Sequence, residues 1–273
     1  MRIVKSRHIA ALLLATLLAG CKPDAALHHA ETIDQSNGAQ TLRAPLSSSG
    51  NTLIDPTTFG SIKGTVHFTG AAPARVKIDM SMDPACSLAK GDNLSEQYVV
   101  SGNKLANVFL YIKSGIAPSM APEDAPTVIL DQKGCRYTPH VIAIQQGGYV
   151  AFHNSDPTMH NVHITPPDGS QASSNSVDVS QGPMGAPQSQ QFNTPELMLP
   201  VRCNNHPWMN AFINVAPTPY FAVSAADGSF TIPNLPPGTY TLAAVHEKLG
   251  EQDVQVTVPA KSTAKEDFTF TAK

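Results

Sequence analysis

Apolar and polar residues alternate with a period of two along much of the chain, and this pattern predicts β-strands. In 60–70, the residues Ile62, Val66 and Phe68 fall on one face of an extended segment. Comparable short apolar stretches, bounded by turn-forming residues, predict further strands at 105–112, 147–154, 197–201, 211–215, 220–224, 229–233, 239–246, 252–258 and 266–271. The pattern therefore indicates an all-β protein.

Composition and length agree with this fold class. The chain has 23 Pro and 18 Gly in 273 residues, without a regular spacing, which is typical of many short strands joined by turns. The length allows about two domains.

The N-terminus is predicted to be a targeting segment. Three cations, Arg2, Lys5 and Arg7, precede an apolar stretch at 9–18 that is too short to span a bilayer. The following Leu-Ala-Gly-Cys, which ends at Cys21, resembles the lipobox of bacterial lipoproteins.

This resemblance implies that residues 1–20 are a signal peptide and that Cys21 is the acylated first residue of the mature protein. By analogy with Gram-negative sorting, Lys22 after the cysteine favours the periplasmic side of the outer membrane. A plain secretory signal with cleavage nearby remains the alternative. Residues 21–59, rich in Ala, Ser, Gln, Asn and Pro, are predicted to be a flexible tether.

Charge limits the class of partner. Removal of residues 1–20 takes away three cations, so 15 Lys and Arg remain against 21 Asp and Glu, for a net charge of about −6. A nucleic-acid-binding protein needs a basic footprint, so we expect no nucleic-acid partner. The mild acidity favours a partner that presents a basic patch.

Two separate segments carry a set of soft and borderline metal ligands. His160 lies in Met-His-Asn-Val-His, and Cys203, His206 and Met209 form a Cys-x-x-His-x-x-Met loop between two predicted strands. Two imidazoles, one thiolate and a weak axial thioether are the ligand set of a mononuclear blue-copper site. We predict one copper ion, held by these four residues. His163 points to the opposite strand face from His160 and is not expected to share the metal.

These segments resemble the cupredoxins, in particular those of the amicyanin and plastocyanin type. The match covers about 126–216, and the short Cys-x-x-His-Pro-aromatic-Met loop carries it. The resemblance implies a Greek-key β-sandwich and electron transfer through the edge of His206, ringed by apolar surface. Around the ligands, Asn161 is expected to hydrogen-bond across to the cysteine loop, and Pro207 to stiffen that loop. Trp208 is expected either to cover His206 or to fill the domain seam.

Two cysteines remain without a role. In an oxidising compartment Cys86 and Cys135 are expected to form a disulfide. The alternative is a second metal or haem contact that uses Cys135 with His140.

The C-terminal segment resembles the carboxypeptidase regulatory-like modules, which are transthyretin-like β-sandwiches. The resemblance rests on 227–242, with Asp-Gly-Ser-Phe followed by Leu-Pro-Pro-Gly-Thr-Tyr-Thr-Leu. Two segments that precede the copper segment resemble the first strands of such a module. Residues 218–273 alone would have little core. We therefore predict one sandwich built from 60–116 and 218–273, with a cupredoxin domain, 117–217, inserted between them. Three domains in tandem are the alternative.

The predicted function is one-electron transfer by a lipid-anchored periplasmic copper protein, with a cytochrome or dehydrogenase as partner. A copper-trafficking lipoprotein and a structural envelope protein without a redox role are the alternatives. An enzyme is not expected, because the four ligands leave no open coordination position. The Gly-, Ser- and Gln-rich 165–191 loop is expected either to shade the copper or to contact a partner.

Overall fold

The structure, a computed structural model, describes residues 55–166 and 175–272. The predicted signal peptide, Cys21 and nearly all of the tether lie outside the described residues. The end of the tether, 55–59, forms one 3-10 turn, Pro56–Thr58, and the Thr58 carbonyl accepts a hydrogen bond from the Lys261 N–H. In the described part of the chain, no helix is long and apolar enough to cross a membrane.

Nearly all regular structure in these residues is β-strand, which confirms the predicted fold class. The one α-helix in the described ranges, α1, is a single turn at Pro84–Ser87. In chain order the strands are β1 Gly60–Thr69, β2 Val100–Ser101, β3 Lys104–Leu105, β4 Phe109–Ser114, β5 Val128–Gln132, β6 Tyr137–Thr138, β7 Val141–Gln145, β8 Tyr149–Asn154, β9 His160–Ile164, β10 Val177–Gln181, β11 Gln188–Gln191, β12 Glu196–Arg202, β13 Asn210–Ala216, β14 Phe221–Val223, β15 Ser229–Leu235, β16 Gly238–His246, β17 Gly250–Val258, β18 Thr263–Lys265 and β19 Phe268–Thr271.

The first sandwich contains strands from both ends of the described chain. One sheet has the order β15-β1-β3-β2, with β18 and β19 also paired to β1, and the other has the order β14-β4-β16-β17. Ile62 and Val66 of β1 share a buried core with Leu242 of β16 and Phe270 of β19. The chain therefore leaves this sandwich after β4 and returns to it at β14.

The second sandwich is formed by the strands between these two points. A five-stranded sheet, β10-β9-β12-β13-β7, faces a four-stranded sheet, β11-β8-β5-β6. Its core includes Phe152 and Val162, together with Cys203 and Met209 from the loop between β12 and β13.

The two sandwiches pack on each other through strands that are buried on both faces. In β4, Leu110 points into the first core, whereas Phe109 and Tyr111 lie in a separate apolar cluster with Ala216 at the end of β13. This explains why 108–112 is continuously apolar, because a strand that is covered on both faces has no polar face to alternate. The buried His140 of the second sandwich also pairs with Glu247 of the first, at 2.6 Å between Nε2 and Oε1.

Between β1 and β2, the chain makes an excursion that packs on the second sandwich. We call 76–95 the arm. Its two limbs are joined by backbone hydrogen bonds, such as the Ile78 N–H to the Asn93 carbonyl at 2.7 Å. Its Met80 and Cys86 are buried in the core of the second sandwich, and Cys86 forms a disulfide with Cys135, which lies between β5 and β6.

The arm differs from the domain prediction, which assigned all of 60–116 to the first sandwich. The structure divides this range, because the arm places its apolar side chains under the second sandwich. The alternative role for Cys135, a metal contact with His140, does not hold, since its sulfur is in the disulfide.

The described part of the 165–191 segment, 165–166 and 175–191, is also more regular than expected. It contains β10, which pairs with β9, and β11, which pairs with β8. Both are edge strands in their sheets. The sequence of β11, Gln-Ser-Gln-Gln, lacks the apolar alternation that predicts a strand, and in β10 the alternation covers only Val177 to Val179.

We predict that the disulfide is the main covalent support of the arm. Replacing both cysteines, as Cys86→Ala with Cys135→Ala, should lower the free energy of unfolding by about 4 kcal/mol, because loop closure across a separation of 49 residues no longer restricts the unfolded chain. Urea denaturation of wild type and double variant measures the change. Adding a reductant should lower the urea midpoint of the wild type to that of the variant and leave the midpoint of the variant unchanged. Equal midpoints for the two oxidised proteins would contradict the prediction.

Candidate metal centre

Strand pairing brings the two ligand-bearing segments together. Strands β9 and β12 are antiparallel neighbours, with Ile164 opposite Val201 and His163 opposite Arg202. His160 begins β9, and Cys203 directly follows β12, so both lie at the same end of the sheet. The loop then returns into β13, which starts after Met209.

Three of the four predicted ligands converge on one point. The Nδ1 atoms of His160 and His206 are 3.0 Å apart, and the Cys203 sulfur lies 3.6 Å from the His206 Nδ1. The three donor atoms all lie within 4.8 Å of one another, so one metal ion could contact all of them. Each of these residues is at most 4% exposed. The donors are two borderline imidazoles and one soft thiol, a combination that fits copper.

Each histidine is oriented by a carboxylate behind it. The His160 Nε2 lies 2.9 Å from an Asp156 oxygen, and the His206 Nε2 lies 2.9 Å from an Asp83 oxygen. When each Nε2 carries the proton and donates a hydrogen bond to its aspartate, both Nδ1 lone pairs are free for a metal.

Both carboxylates are held in place by further hydrogen bonds. Asp156 accepts from the backbone N–H groups of Gly134 and Cys135, each at 2.7 Å. Asp83 caps α1 by accepting from the Ala85 N–H at 2.8 Å, and it also accepts from the Thr158 hydroxyl at 2.9 Å. The hydrogen bond from His206 holds the pKa of the Asp83 carboxyl at about 2, so this group is ionised at neutral pH.

The polar surroundings favour a thiolate at Cys203. Burial raises the pKa of this thiol, but hydrogen bonds from His160 and from the backbone N–H of Asn161 outweigh it and lower the pKa to about 6. Burial lowers the pKa of His160, but Asp156 and Cys203 together raise it to about 9. The metal-free centre therefore holds an imidazolium beside a thiolate, and a thiolate is the form that binds metals.

The remaining predicted residues lie around these three. Met209 is 1% exposed, and its N–H donates to the His206 carbonyl at 2.9 Å, which closes the turn that contains Pro207. Asn161 links the two segments, because its Oδ1 accepts from the Asn204 N–H at 3.3 Å while its side-chain amide donates to Asp178. His163 lies apart from the centre and contacts Thr165 and Asp178.

Trp208 lies against His206, with ring centroids 5.1 Å apart. Its Nε1–H donates to the Cys135 carbonyl at 3.1 Å. The indole therefore connects the ligand loop to the disulfide that anchors the arm.

Sequence reasoning missed both aspartates. A local signal existed for Asp156, which precedes His160 by four residues. Asp83 offered none, because it reaches His206 only through the arm. The surroundings of His206 are more polar than the expected apolar ring, since the residue is 3% exposed and the Asp83 carboxylate covers its Nε2 side. What opens to solvent is a depression of about 310 Å³, lined by Met82, Asp83, Thr158, Met159, Asn205 and His206.

Part of the chain matches a known protein family. Residues 202–271 match the carboxypeptidase regulatory-like domain family. In the structure, the start of this range, through Ala216, lies in the second sandwich, and the strands from β14 to β19 lie in the first. The curated proteins contain no match to the chain.

The structure is similar to solved copper proteins at low identity. Amicyanin from Paracoccus versutus is 18% identical, with a TM-score of 0.29, over 39% of this chain and 96% of its own. A reduced Cu(I) form of an amicyanin mutant is 21% identical over 39% of this chain and 97% of its own, also with a TM-score of 0.29. A Cu-containing nitrite reductase from Thermus scotoductus is 18% identical over 55% of this chain, with a TM-score of 0.30, but the match spans only 28% of that enzyme.

The lowered pKa of the Cys203 thiol can be tested in protein prepared without metal. Its ultraviolet thiolate absorbance should appear as pH rises through about 6, well below the ordinary value of about 8.5. His160→Ala removes the adjacent cation and one hydrogen-bond donor, so it should move the midpoint upward. His163→Ala, on the same strand but outside the centre, should leave it unchanged. A wild-type midpoint at the ordinary value would contradict the electrostatics described above.

Proposed function

We propose that this chain is a type 1, or blue, copper protein that transfers single electrons between redox partners. The observation that carries the proposal is the buried group of His160, Cys203 and His206, whose three donor atoms lie within 4.8 Å of one another and whose two Nδ1 atoms are 3.0 Å apart. Copper bound there would supply a reversible one-electron couple. The sequence position of Met209 and its burial beside the same loop support it as the weak axial ligand.

The surroundings of the centre support electron transfer over substrate turnover. Two further groups of candidate metal donors occur in the described residues. Each reuses His160 or His206, and each includes a cysteine of the disulfide. Neither supplies an independent second metal site. The burial of all three donors also leaves no open face for a substrate at the centre.

The rigidity of the centre suits a carrier whose metal changes charge without rearranging. Each imidazole is held by a carboxylate, and Asn161 ties the β9 segment to the cysteine loop. A framework of this kind keeps the donor geometry nearly constant between oxidation states, which lowers the reorganisation that accompanies each transfer. Acylation at Cys21 would hold the carrier on the periplasmic side of a membrane, within reach of a cytochrome or dehydrogenase.

A copper-handling role is the second candidate. The observation that favours it is the pair of exposed methionines, Met82 and Met159, on the depression beside His206. Carriers that deliver copper use accessible soft ligands, whereas electron carriers require only the buried set. The two roles differ in whether the bound copper cycles reversibly between oxidation states.

The experiment that tests the proposed function is the visible spectrum of the copper-loaded protein. We expect an intense blue thiolate-to-Cu(II) charge-transfer band, which Cys203→Ser and His160→Ala should abolish because each removes a ligand. His163→Ala should keep the band. Reversible voltammetry should accompany the colour in the wild type. A colourless Cu(II) complex, or colour without a reversible couple, would contradict an electron carrier.

Asp83 provides a second prediction, because it places an anion next to a ligand. In copper-loaded protein, Asp83→Asn should raise the reduction potential by tens of millivolts, since a neighbouring negative charge stabilises Cu(II) relative to Cu(I). Asn can still accept the hydrogen bond from His206, so the blue band should persist. Asp92→Asn makes the same charge change at an exposed position of the arm and should leave the potential nearly unchanged. Equal shifts in the two variants would show that only net charge matters.

A further inference from the structure

The methionines of this protein are distributed unusually. Among the described residues, eight large hydrophobic side chains are exposed, and four of them are methionines: Met82, Met120, Met159 and Met184. Three of the four border the candidate metal centre. Met82 precedes Asp83, Met159 precedes His160, and the Met184 N–H donates to the Asp156 carbonyl at 2.9 Å. Met120 lies elsewhere, against Gly147.

Two of these side chains share one concave surface. Met82, 75% exposed, and Met159, 52% exposed, both line the depression of about 310 Å³ beside His206. They come from separate segments, since Met82 lies on the arm and Met159 lies between β8 and β9. The disulfide and the Asp83 contacts to His206 and Thr158 hold the arm in this place.

Packing does not account for these methionines. An exposed side chain contributes little burial, and leucine would provide a similar apolar surface. What methionine adds is a thioether, a soft ligand that suits Cu(I). The Asp83 carboxylate lines the same depression, and a carboxylate there attracts a cation.

We propose that Met82 and Met159 form a surface Cu(I) site that loads the buried centre through the depression beside His206. No electron moves in this step. Cu(I) exchanges neutral thioethers for the two imidazoles and the thiolate of Cys203, and the proton that His160 carries in the absence of metal is released to solvent. The thiolate binds Cu(I) more strongly than a thioether does, so the transfer runs inward. The surface site does not require that the buried centre carry electrons, and it can be tested separately.

The test uses the full-length protein with its methionine methyl groups labelled with ¹³C. Cu(I) is added without oxygen, first to fill the buried centre and then in excess. We expect the methyl resonances of Met82 and Met159 to shift in the excess phase while Met120 stays fixed. The ring resonances of His160 and His206 report the buried centre independently, so a failure of the proposed function is distinguishable from a failure of the surface site. No shift of Met82 and Met159, or equal shifts at all exposed methionines, would overturn the proposal.

A matched set of variants tests the sulfur atoms themselves. Met82→Leu with Met159→Leu keeps the apolar surface and removes both thioethers. In competition with a chromogenic Cu(I) chelator, the double variant should bind the excess Cu(I) at least about tenfold more weakly. It should also load the buried centre more slowly from a Cu(I)–thiol complex, with the same final occupancy. Met120→Leu is the control and should match wild type in both measurements.

The same variants separate the proposal from a surface that only docks an apolar partner. Such a surface would tolerate leucine, so unchanged Cu(I) affinity in the double variant would show that the depression is not a metal site. Weaker surface binding with an unchanged loading rate would show that the site does not feed the buried centre, which also overturns the proposal as stated.

Discussion

The candidate centre depends on the pairing of each buried imidazole with a carboxylate. Two histidines and a thiol that are nearly inaccessible to water are costly to bury unless their polar atoms find partners. Asp156 and Asp83 each satisfy the outer nitrogen, Nε2, of one ring, and the two inner nitrogens, both Nδ1, then lie 3.0 Å apart beside Cys203. Without these carboxylates, neither ring orientation would be determined, and the three donors would not be held ready for one ion.

The two carboxylates are supplied in different ways. Asp156 belongs to the turn before β9 and is held by backbone N–H groups next to the disulfide. Asp83 arrives on the arm, an excursion from the first sandwich that is joined to the second by Cys86 and Cys135. One disulfide therefore supports both carboxylates. The disulfide therefore links the carboxylates of the centre to the arm, which in the chain lies between two strands of the first sandwich.

This arrangement also changes how the centre meets the solvent. The Nε2 edge of the His206 ring is not exposed to solvent, because Asp83 covers it. The nearest accessible surface is the depression that carries Met82 and Met159. Whatever approaches the centre from this side, a metal ion or a redox partner, meets a carboxylate and two thioethers before it meets the ligand. An electron carrier and a copper acceptor would use this surface differently, and the same residues serve to distinguish the two.

The sequence by itself determined many of the strands, together with the ligand loop, because both depend on short-range pattern. The alternation at 60–70 matches β1, and the spacing of Cys203, His206 and Met209 within one turn is readable without a fold. It did not determine Asp83, the path of the arm or the edge strands β10 and β11. The position of Asp83 depends on a contact between residues far apart in the chain, Asp83 with His206. The strands β10 and β11 depend on backbone pairing that a mostly polar sequence does not predict. Only the tertiary structure decides such contacts, because nothing in the local sequence distinguishes a solvated aspartate from one that reaches across to a buried imidazole.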